Sequence, residues 1–320
     1  MERQQTFRVW IVSWLLFSSI MTACSFGGSA RRHYNQGVAN YNSGDYEQAI
    51  ADYNKAIELD PDDGTVYNNR GNAHKKSGDL EQAIADYSKA IELSPDDVLA
   101  YNNRGSAYTD LGNYERAIAD YSKAIELSPD DVLAYNNRGI AYAELGEYKR
   151  AISDYNKVIE LDPNHTSAFH SRGIAYADLG DYEQAISDYS KAITLAPDLS
   201  TAYNNRGIAY KNSGDLEQAI ADYSKAIELN PDDVLAYNNR GIAYTDLGDY
   251  ERAITDYYKA VELDPNYALA YYNRGNAYVD IGELEHAIAD FEWYLEIAPN
   301  VLERTEIMEI IEQLKSELSP

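Results

Sequence analysis

Small and aromatic residues return along this chain at steps of three and four, and the whole pattern then returns every 34 residues. Between residues 98 and 111, Tyr101, Gly105 and Tyr108 stand four and then three apart. After Gly112, Tyr114, Ala117, Tyr121 and Ala124 stand three, four and three apart. Such spacing gathers each set on one face of an α-helix. It predicts two antiparallel helices of about 12–14 residues per period, joined by a short turn. Gly112 falls between them, where a helix end calls for positive φ. Pro129 closes the second helix, and Asp130 and Asp131 offer N-caps for the next one.

Eight prolines keep this period without a break, from Pro61 to Pro299. With Ala30 as position 1, each proline stands at position 32, and eight repeats end at Val301. Glycine recurs at positions 8 and 15 and alanine at positions 10 and 20 in all eight repeats. Position 24 is tyrosine except at Phe291. A period this short means a stack of one supersecondary unit, so function is expected on a repeated surface. Gly at position 8 and Ala at position 20 let the helices approach. The tyrosines at positions 4, 11, 17 and 24 are expected to fill the gaps as core, with hydroxyls reaching the edge.

The segment Ala100-Tyr101-Asn102-Asn103-Arg104-Gly105-Ser106-Ala107-Tyr108, with Gly112, Tyr114, Ala117, Tyr121, Ala124 and Pro129 behind it, resembles a tetratricopeptide repeat. The resemblance runs over about residues 30–301. It implies an all-α, right-handed superhelical solenoid with a concave groove lined by the first helices, and binding of partner proteins as its work. The sequence departs from the family pattern in two ways. Position 7, usually Leu, is Arg in seven repeats and Gln36 in the first, and position 27, usually Ala, is Val158 and Tyr294 in two. The latter suggests altered packing at the last repeat.

The two ends differ from the repeats. Arg3 and Arg8 precede an uncharged run from Val9 to Ala23, followed by the only cysteine, Cys24. This is the order of a secretory signal. As a helix the run would span about 22 Å, short of a bilayer's ~30 Å core. Met21-Thr22-Ala23-Cys24 resembles a bacterial lipobox, which implies cleavage before Cys24 and lipidation of that residue. The alternatives are an uncleaved anchor and simple secretion. Residues 24–29 read as the lipidated cysteine and a short linker. Beyond the repeats, residues 302–320 place Ile307, Ile310, Ile311, Leu314 and Leu318 on one stripe, with Glu303, Glu306, Glu309 and Glu312 turned away. That is a capping helix over the last core face.

Charge narrows the partner. The chain carries −26 at pH 7, and loss of residues 1–23 removes Arg3, Arg8 and Glu2, one net positive charge, giving −27. Phosphates would be repelled, which argues against nucleic acid and against lying flat on anionic lipid. A neutral or basic protein or peptide fits, and the membrane is met only through the N-terminal lipid. Val98, Leu99, Val132 and Leu133 offer apolar surface for self-association.

Three recurrent side chains carry candidate chemistry. Position 6 is Asn35, Asn69, Asn103, Asn137, Asn205, Asn239 and Asn273, with Ser171 the exception. A carboxamide donates and accepts at once, as a peptide unit does, so a row of them suits an extended chain. The plainer reading is local bonding to backbone. Arg at position 7 and Asp at position 23 each stand eight residues from the turn glycine, which sets them level. Arg104 with Asp120, Arg138 with Asp154 and Arg206 with Asp222 read as structural ion pairs. Position 13 holds Asp110, Glu144, Asp178, Asp246 and Asp280. Carboxylates at a helix C-terminus oppose its dipole, so their recurrence suggests an acidic strip for basic ligand side chains, against the plainer reading of a solvated face.

Other chemistry finds no footing. Positions 5 and 9 of repeats two to eight carry no Lys or Arg, which argues against a clamp for acidic C-termini. The five histidines show no metal-ligand spacing, and the Asp-rich turns lack the glycine and distal glutamate of a calcium loop. No cofactor and no metal is expected. The sequence reads as a non-catalytic scaffold at an envelope membrane, with a chaperone-like factor holding unfolded segments as the alternative.

Overall fold

The computed structural model describes residues 28–318, and among them every regular element is an α-helix. They fall into two compact units, divided between Asp162 and Pro163. The first holds α1 (28–43), α2 (Tyr46–Leu59), α3 (Gly64–Ser77), α4 (Leu80–Leu93), α5 (Val98–Asp110), α6 (Tyr114–Leu127), α7 (Val132–Glu144) and α8 (Tyr148–Leu161). The second holds α9 (Thr166–Asp178), α10 (Tyr182–Leu195), α11 (Ser200–Ser213), α12 (Leu216–Leu229), α13 (Val234–Asp246), α14 (Tyr250–Leu263), α15 (Ala268–Asp280), α16 (Leu284–Ile297) and α17 (Arg304–Leu318). The signal segment and Cys24 lie outside the described residues. Gly28 and Ser29, read as linker from sequence, already belong to α1. The first N–H groups of a helix have no partner within it, so glycine and serine are acceptable in its opening turn.

Each repeat is the predicted hairpin. At Gly112 the chain takes φ 71°, and the amides of Gly112 and Asn113 turn back to Thr109 O and Tyr108 O at 2.9 and 2.8 Å. These bonds satisfy carbonyls at the end of α5 that the helix leaves open. The next helix is caught at once by side-chain capping in most repeats. Asp79 Oδ1 accepts from the Gln82 amide at 3.2 Å, and Asp45, Asp181, Asp215 and Asp249 cap their helices alike. Across the proline turn Asp131 caps α7 by accepting from Ala134 N at 3.1 Å, whereas its neighbour Asp130 stays in solvent.

The core is thin and runs as a series of small clusters along each unit. Position-20 alanines and position-24 rings of a second helix pack against the position-10 alanine of the next repeat, as Ala83, Tyr87 and Ala107 do in the first unit and Ala219, Tyr223 and Ala243 in the second. Most of these clusters are completed by the neighbouring repeat, whereas Tyr142, Ala151 and Tyr155 gather within repeat four. Gly105 shows how tight the hairpin is: a Cβ there would lie 2.8 Å from Tyr121 Cε1. The tyrosines divide by position. Those at 24 are fully buried, whereas those at 4, 11 and 17 are half-buried with the exception of Tyr142. A stack two helices thick has open edges along its whole length, so only the ring between the helices is enclosed.

The far end of the second unit is built differently. Phe291, Tyr294 and Leu295 of α16 join Ile307, Ile311 and Leu314 of α17 in one cluster. Tyr294, in place of the usual alanine, lies 5.3 Å from the Tyr272 ring centroid. Ile310 is half-buried and Leu318 is 39% exposed, so the cap's apolar stripe is narrower than its sequence implies.

Candidate functional site

Within each unit the first helices of consecutive repeats touch one another: α3 meets α5 and α5 meets α7, while α9, α11, α13 and α15 meet in series. No such contact joins consecutive second helices among the described residues. The first helices therefore form the crowded, inner side of each unit, and their shared face is the candidate site.

Position 6 lies on that face, where the amides bond along the stack rather than to local backbone. Asn103 Nδ2 donates to Asn68 Oδ1 at 3.0 Å, and Asn69 Nδ2 to the Tyr34 hydroxyl at 3.0 Å. In the second unit Asn239 donates to Asn204 at 3.1 Å, Asn273 to Asn238 at 3.0 Å, and Asn205 meets His170 Nε2 at 3.1 Å. Each bond joins position 6 of one repeat to position 5 of the repeat before it. Asn68, Asn102 and Asn238 at position 5 are buried, and the position-6 amides are half-exposed apart from the exposed Asn35. The row is interrupted at repeat four. There Asn137 accepts from its neighbour Asn136 at 3.4 Å, and Asn102 Oδ1 and Asn136 Oδ1 are buried without a partner. Asn102 instead donates to Asp131 Oδ2 at 2.6 Å. His170 substitutes for asparagine in the row, and burial lowers its pKa, which keeps the ring neutral near pH 7 and able to share this bond.

Sequence reasoning missed position 5. Its signal was present as the doublets Asn68-Asn69, Asn102-Asn103, Asn136-Asn137, Asn204-Asn205 and Asn238-Asn239.

Beside the amides, Arg104 Nε and Nη2 donate to Asp120 Oδ2 and Oδ1 at 2.8 and 2.7 Å. Arg138 with Asp154 and Arg206 with Asp222 repeat the two-pronged geometry at 2.7–2.8 Å. The third prong reaches the previous repeat. Arg104 Nη1 donates to Ser88 Oγ at 3.0 Å, and Arg138 and Arg206 use Ser122 and Ser190 in the same way. The guanidinium also lies 5.8 Å from the Tyr101 ring centroid. The hydrogen-bonded aspartate holds the Arg104 pKa above its ordinary value despite burial, which pulls the other way. The aspartates are buried. These pairs are therefore enclosed, and they join hairpin to hairpin.

The position-13 carboxylates Asp110, Glu144, Asp178, Asp246 and Asp280 are all exposed at the far end of the first helices. Asp110 meets Lys75 Nζ of the preceding repeat at 3.0 Å, and Glu144 accepts from the Tyr114 hydroxyl at 3.4 Å. At the other end of the same helices Leu99 and Leu133 in the first unit, and Leu235 and Leu269 in the second, are more than half exposed. Eleven residues of helix, about 16 Å, separate the two rows. Among the described residues no group of His, Cys, Asp or Glu is arranged to hold a metal ion.

This recurring hairpin, with its small-residue contacts and its period, matches known sequence families. A family described as TPR repeat matches residues 37–78, 75–112, 105–146, 173–214 and 243–282. Two described as Tetratricopeptide repeat match 132–165, 200–233 and 268–301, and 154–187 and 223–255. The chain is a tetratricopeptide repeat protein. The fold of this family supports a non-catalytic role in binding proteins or peptides. No curated protein matches the chain. Among solved structures, a tetratricopeptide repeat protein from Parabacteroides merdae is 24% identical over 78% of this chain and 99% of its own, with a TM-score of 0.60. MamA from Desulfovibrio magneticus is 26% identical over 53% of this chain and 96% of its own, with a TM-score of 0.51. YrrB, described as a TPR protein with an unusual peptide-binding site, is 27% identical over 57% of this chain and 95% of its own, with a TM-score of 0.50.

Proposed function

We propose that this tetratricopeptide repeat protein is a docking scaffold that holds a neutral or basic partner, or an extended segment of one, along the inner face of its first helices. The observation that carries this reading is the row of half-exposed position-6 amides on the face where consecutive first helices meet. Each amide bonded along the stack donates one N–H to the repeat before it, which fixes its direction. Its carbonyl oxygen and second N–H are left for a ligand's backbone. The exposed leucines at one end of the helices suit apolar ligand side chains, and the carboxylate strip at the other suits basic ones. The peptide-binding site named for YrrB makes peptide capture a natural expectation for this chain.

Replacing Asn103, Asn137, Asn205 and Asn239 with alanine tests the reading. Partner capture should fall at least tenfold while far-ultraviolet circular dichroism stays unchanged. Capture at the original level would remove the amides from the site.

The N-terminal segment adds a location. We propose that the chain is exported and anchored at an envelope membrane by lipid on Cys24, with residues 30–301 as the repeats and 302–320 as their cap. No helix among the described residues is long and apolar enough to cross a membrane. Labelling with radioactive palmitate should follow Cys24 and vanish in Cys24→Ser. Label that persists in that variant would contradict the anchor. If the amides act without sequence preference the protein would hold many unfolded chains, and a captured set of one or two folded proteins separates scaffold from chaperone.

A further inference from the structure

The second helices present a uniform exposed face until the final two repeats. Position 26 is lysine in repeats one to seven, and in repeats two, three, four, six and seven its amine pairs with a glutamate three residues on, as Lys89 with Glu92 and Lys259 with Glu262 at 2.8 Å. Position 25 is serine or asparagine in repeats one to six. In repeat seven position 25 becomes Tyr258, and in repeat eight position 26 becomes Trp293. Their side chains are 62% and 45% exposed. Two aromatic rings in water, on a face otherwise charged, are unfavourable for the isolated protein.

A second cost falls on the same residue. Wherever position 25 is small and polar, it can take the third prong of the next repeat's arginine, as Ser224 does for Arg240 at 3.0 Å and Asn54 for Arg70. Tyr258 does not. Arg274 is only 9% exposed, and its Nη1 is buried without a hydrogen-bond partner. The Tyr258 ring lies instead over the guanidinium, 5.5 Å from Cζ to centroid, with the Tyr271 ring at 5.4 Å. Tyr271 in turn meets Trp293 with centroids 6.3 Å apart. The four side chains form one connected surface within the second unit. The other repeats serve as its internal standard. A residue that leaves a buried donor unpaired and also exposes a ring is not selected for stability, and such departures mark contact surfaces.

We propose that Tyr258, Tyr271 and Trp293 form a second docking surface, for an arginine- or lysine-bearing segment of a partner protein. The rings already hold one guanidinium, and exposed aromatic faces attract another cation. The charge of Arg274 is compensated by Asp290, which accepts from Nε and Nη2 at 2.8 Å each. Exposed glutamates flank the rings on α14 and α16: Glu262 and Glu292 pair with Lys259 and Lys315 at 2.8 Å each, and Glu296 extends the acidic edge. The chain's charge of −26 draws a basic segment and repels an acidic one. Tyr258 and Trp293 stand on the second helices α14 and α16 and Tyr271 on the first helix α15, and none of the three belongs to the position-6 amide row.

The test uses the full chain and a fluorescein-labelled peptide of alternating arginine and glycine, followed by anisotropy at low salt, with an alternating glutamate and glycine peptide beside it. The arginine peptide should bind and the glutamate peptide should not. Tyr258→Ser and Trp293→Ala should each weaken binding about two- to fivefold. Tyr258→Ser should also raise the melting temperature, because a serine hydroxyl satisfies Arg274 Nη1. In the Asn103, Asn137, Asn205 and Asn239 to alanine background, where the inner face no longer takes the basic peptide, both ring substitutions should weaken the remaining binding by the same factor. Equal binding of both peptides, ring substitutions without effect in that background, or a lower melting temperature for Tyr258→Ser would each overturn the proposal.

Discussion

Repeat three, in the first unit, and repeat eight, at the end of the second, place the same arginine in the same hairpin and surround it differently. Arg104 is satisfied on every side, by both oxygens of Asp120 and by Ser88 of the preceding repeat. Arg274 keeps its aspartate, loses the third partner, and lies between two rings. Below it the thin alanine and tyrosine core gives way to Phe291, Tyr294 and the side chains of α17. An interior repeat is held on both faces by copies of itself, so its sequence follows the template. A terminal repeat must close a face that no copy covers, and it can change its surface without disturbing a neighbour beyond it.

The sharpest way to break the interior arrangement is Asp120→Ala. It leaves the Arg104 guanidinium largely enclosed and unpaired, so the first unit should lose about 3–5 kcal/mol, read by denaturant unfolding. A double-mutant cycle with Arg104 should show strong coupling. At the other end, Ile311→Ala removes a side chain from the cap cluster, where it is 5% exposed. It should cost about 2–4 kcal/mol, confined to the second unit. Hydrogen exchange that quickens in α16 and α17 and not in α5 or α6 would confirm the confinement. Gly105→Ala tests the hairpin contact shared by both regions. Its methyl group would meet Tyr121 at 2.8 Å, for a loss of about 1–3 kcal/mol. Gly275→Ala should match it, since Phe291 stands at the same distance.

A smaller effect, common to both units, comes at alkaline pH. Burial pushes the Tyr53 and Tyr257 phenols up to about 12 from an ordinary 10, and Tyr87, Tyr189 and Tyr223 are likewise raised. Above pH 10 the unfolded chain has lost phenolic protons that the folded one retains, so stability is full below pH 10 and falls as pH rises toward 12. Denaturant midpoints should be flat from pH 8 to 9.5 and decline beyond it. The Tyr257→Phe protein should decline less.

Much of this was legible in the sequence because each repeat prints the same constraints. Gly112 and Pro129 bound the helices, Gly105 and Tyr121 declare the close contact, and the equal distances of Arg104 and Asp120 from the turn set them opposite each other. What escaped were relations between repeats. Asn103 finds Asn68 on the preceding first helix, and Arg104 finds Ser88 on the preceding second helix. Neither pairing follows from the helical period of one hairpin, because both depend on how two hairpins stack. The half-exposure of the tyrosines at positions 4, 11 and 17 has the same origin, since an edge is known only once the layers are placed.

The inner face is tested most directly by a photoreactive benzoylphenylalanine at Ser106, between the amide row and the acidic strip, compared in the native cell with one at Lys89 on the exposed second-helix face. The Ser106 probe should yield a discrete crosslinked species that the Lys89 probe does not, and that species should disappear when Asn103, Asn137, Asn205 and Asn239 become alanine. Equal crosslinking from both positions, or a species at Ser106 that survives the loss of the four amides, would contradict an inner face that holds the partner.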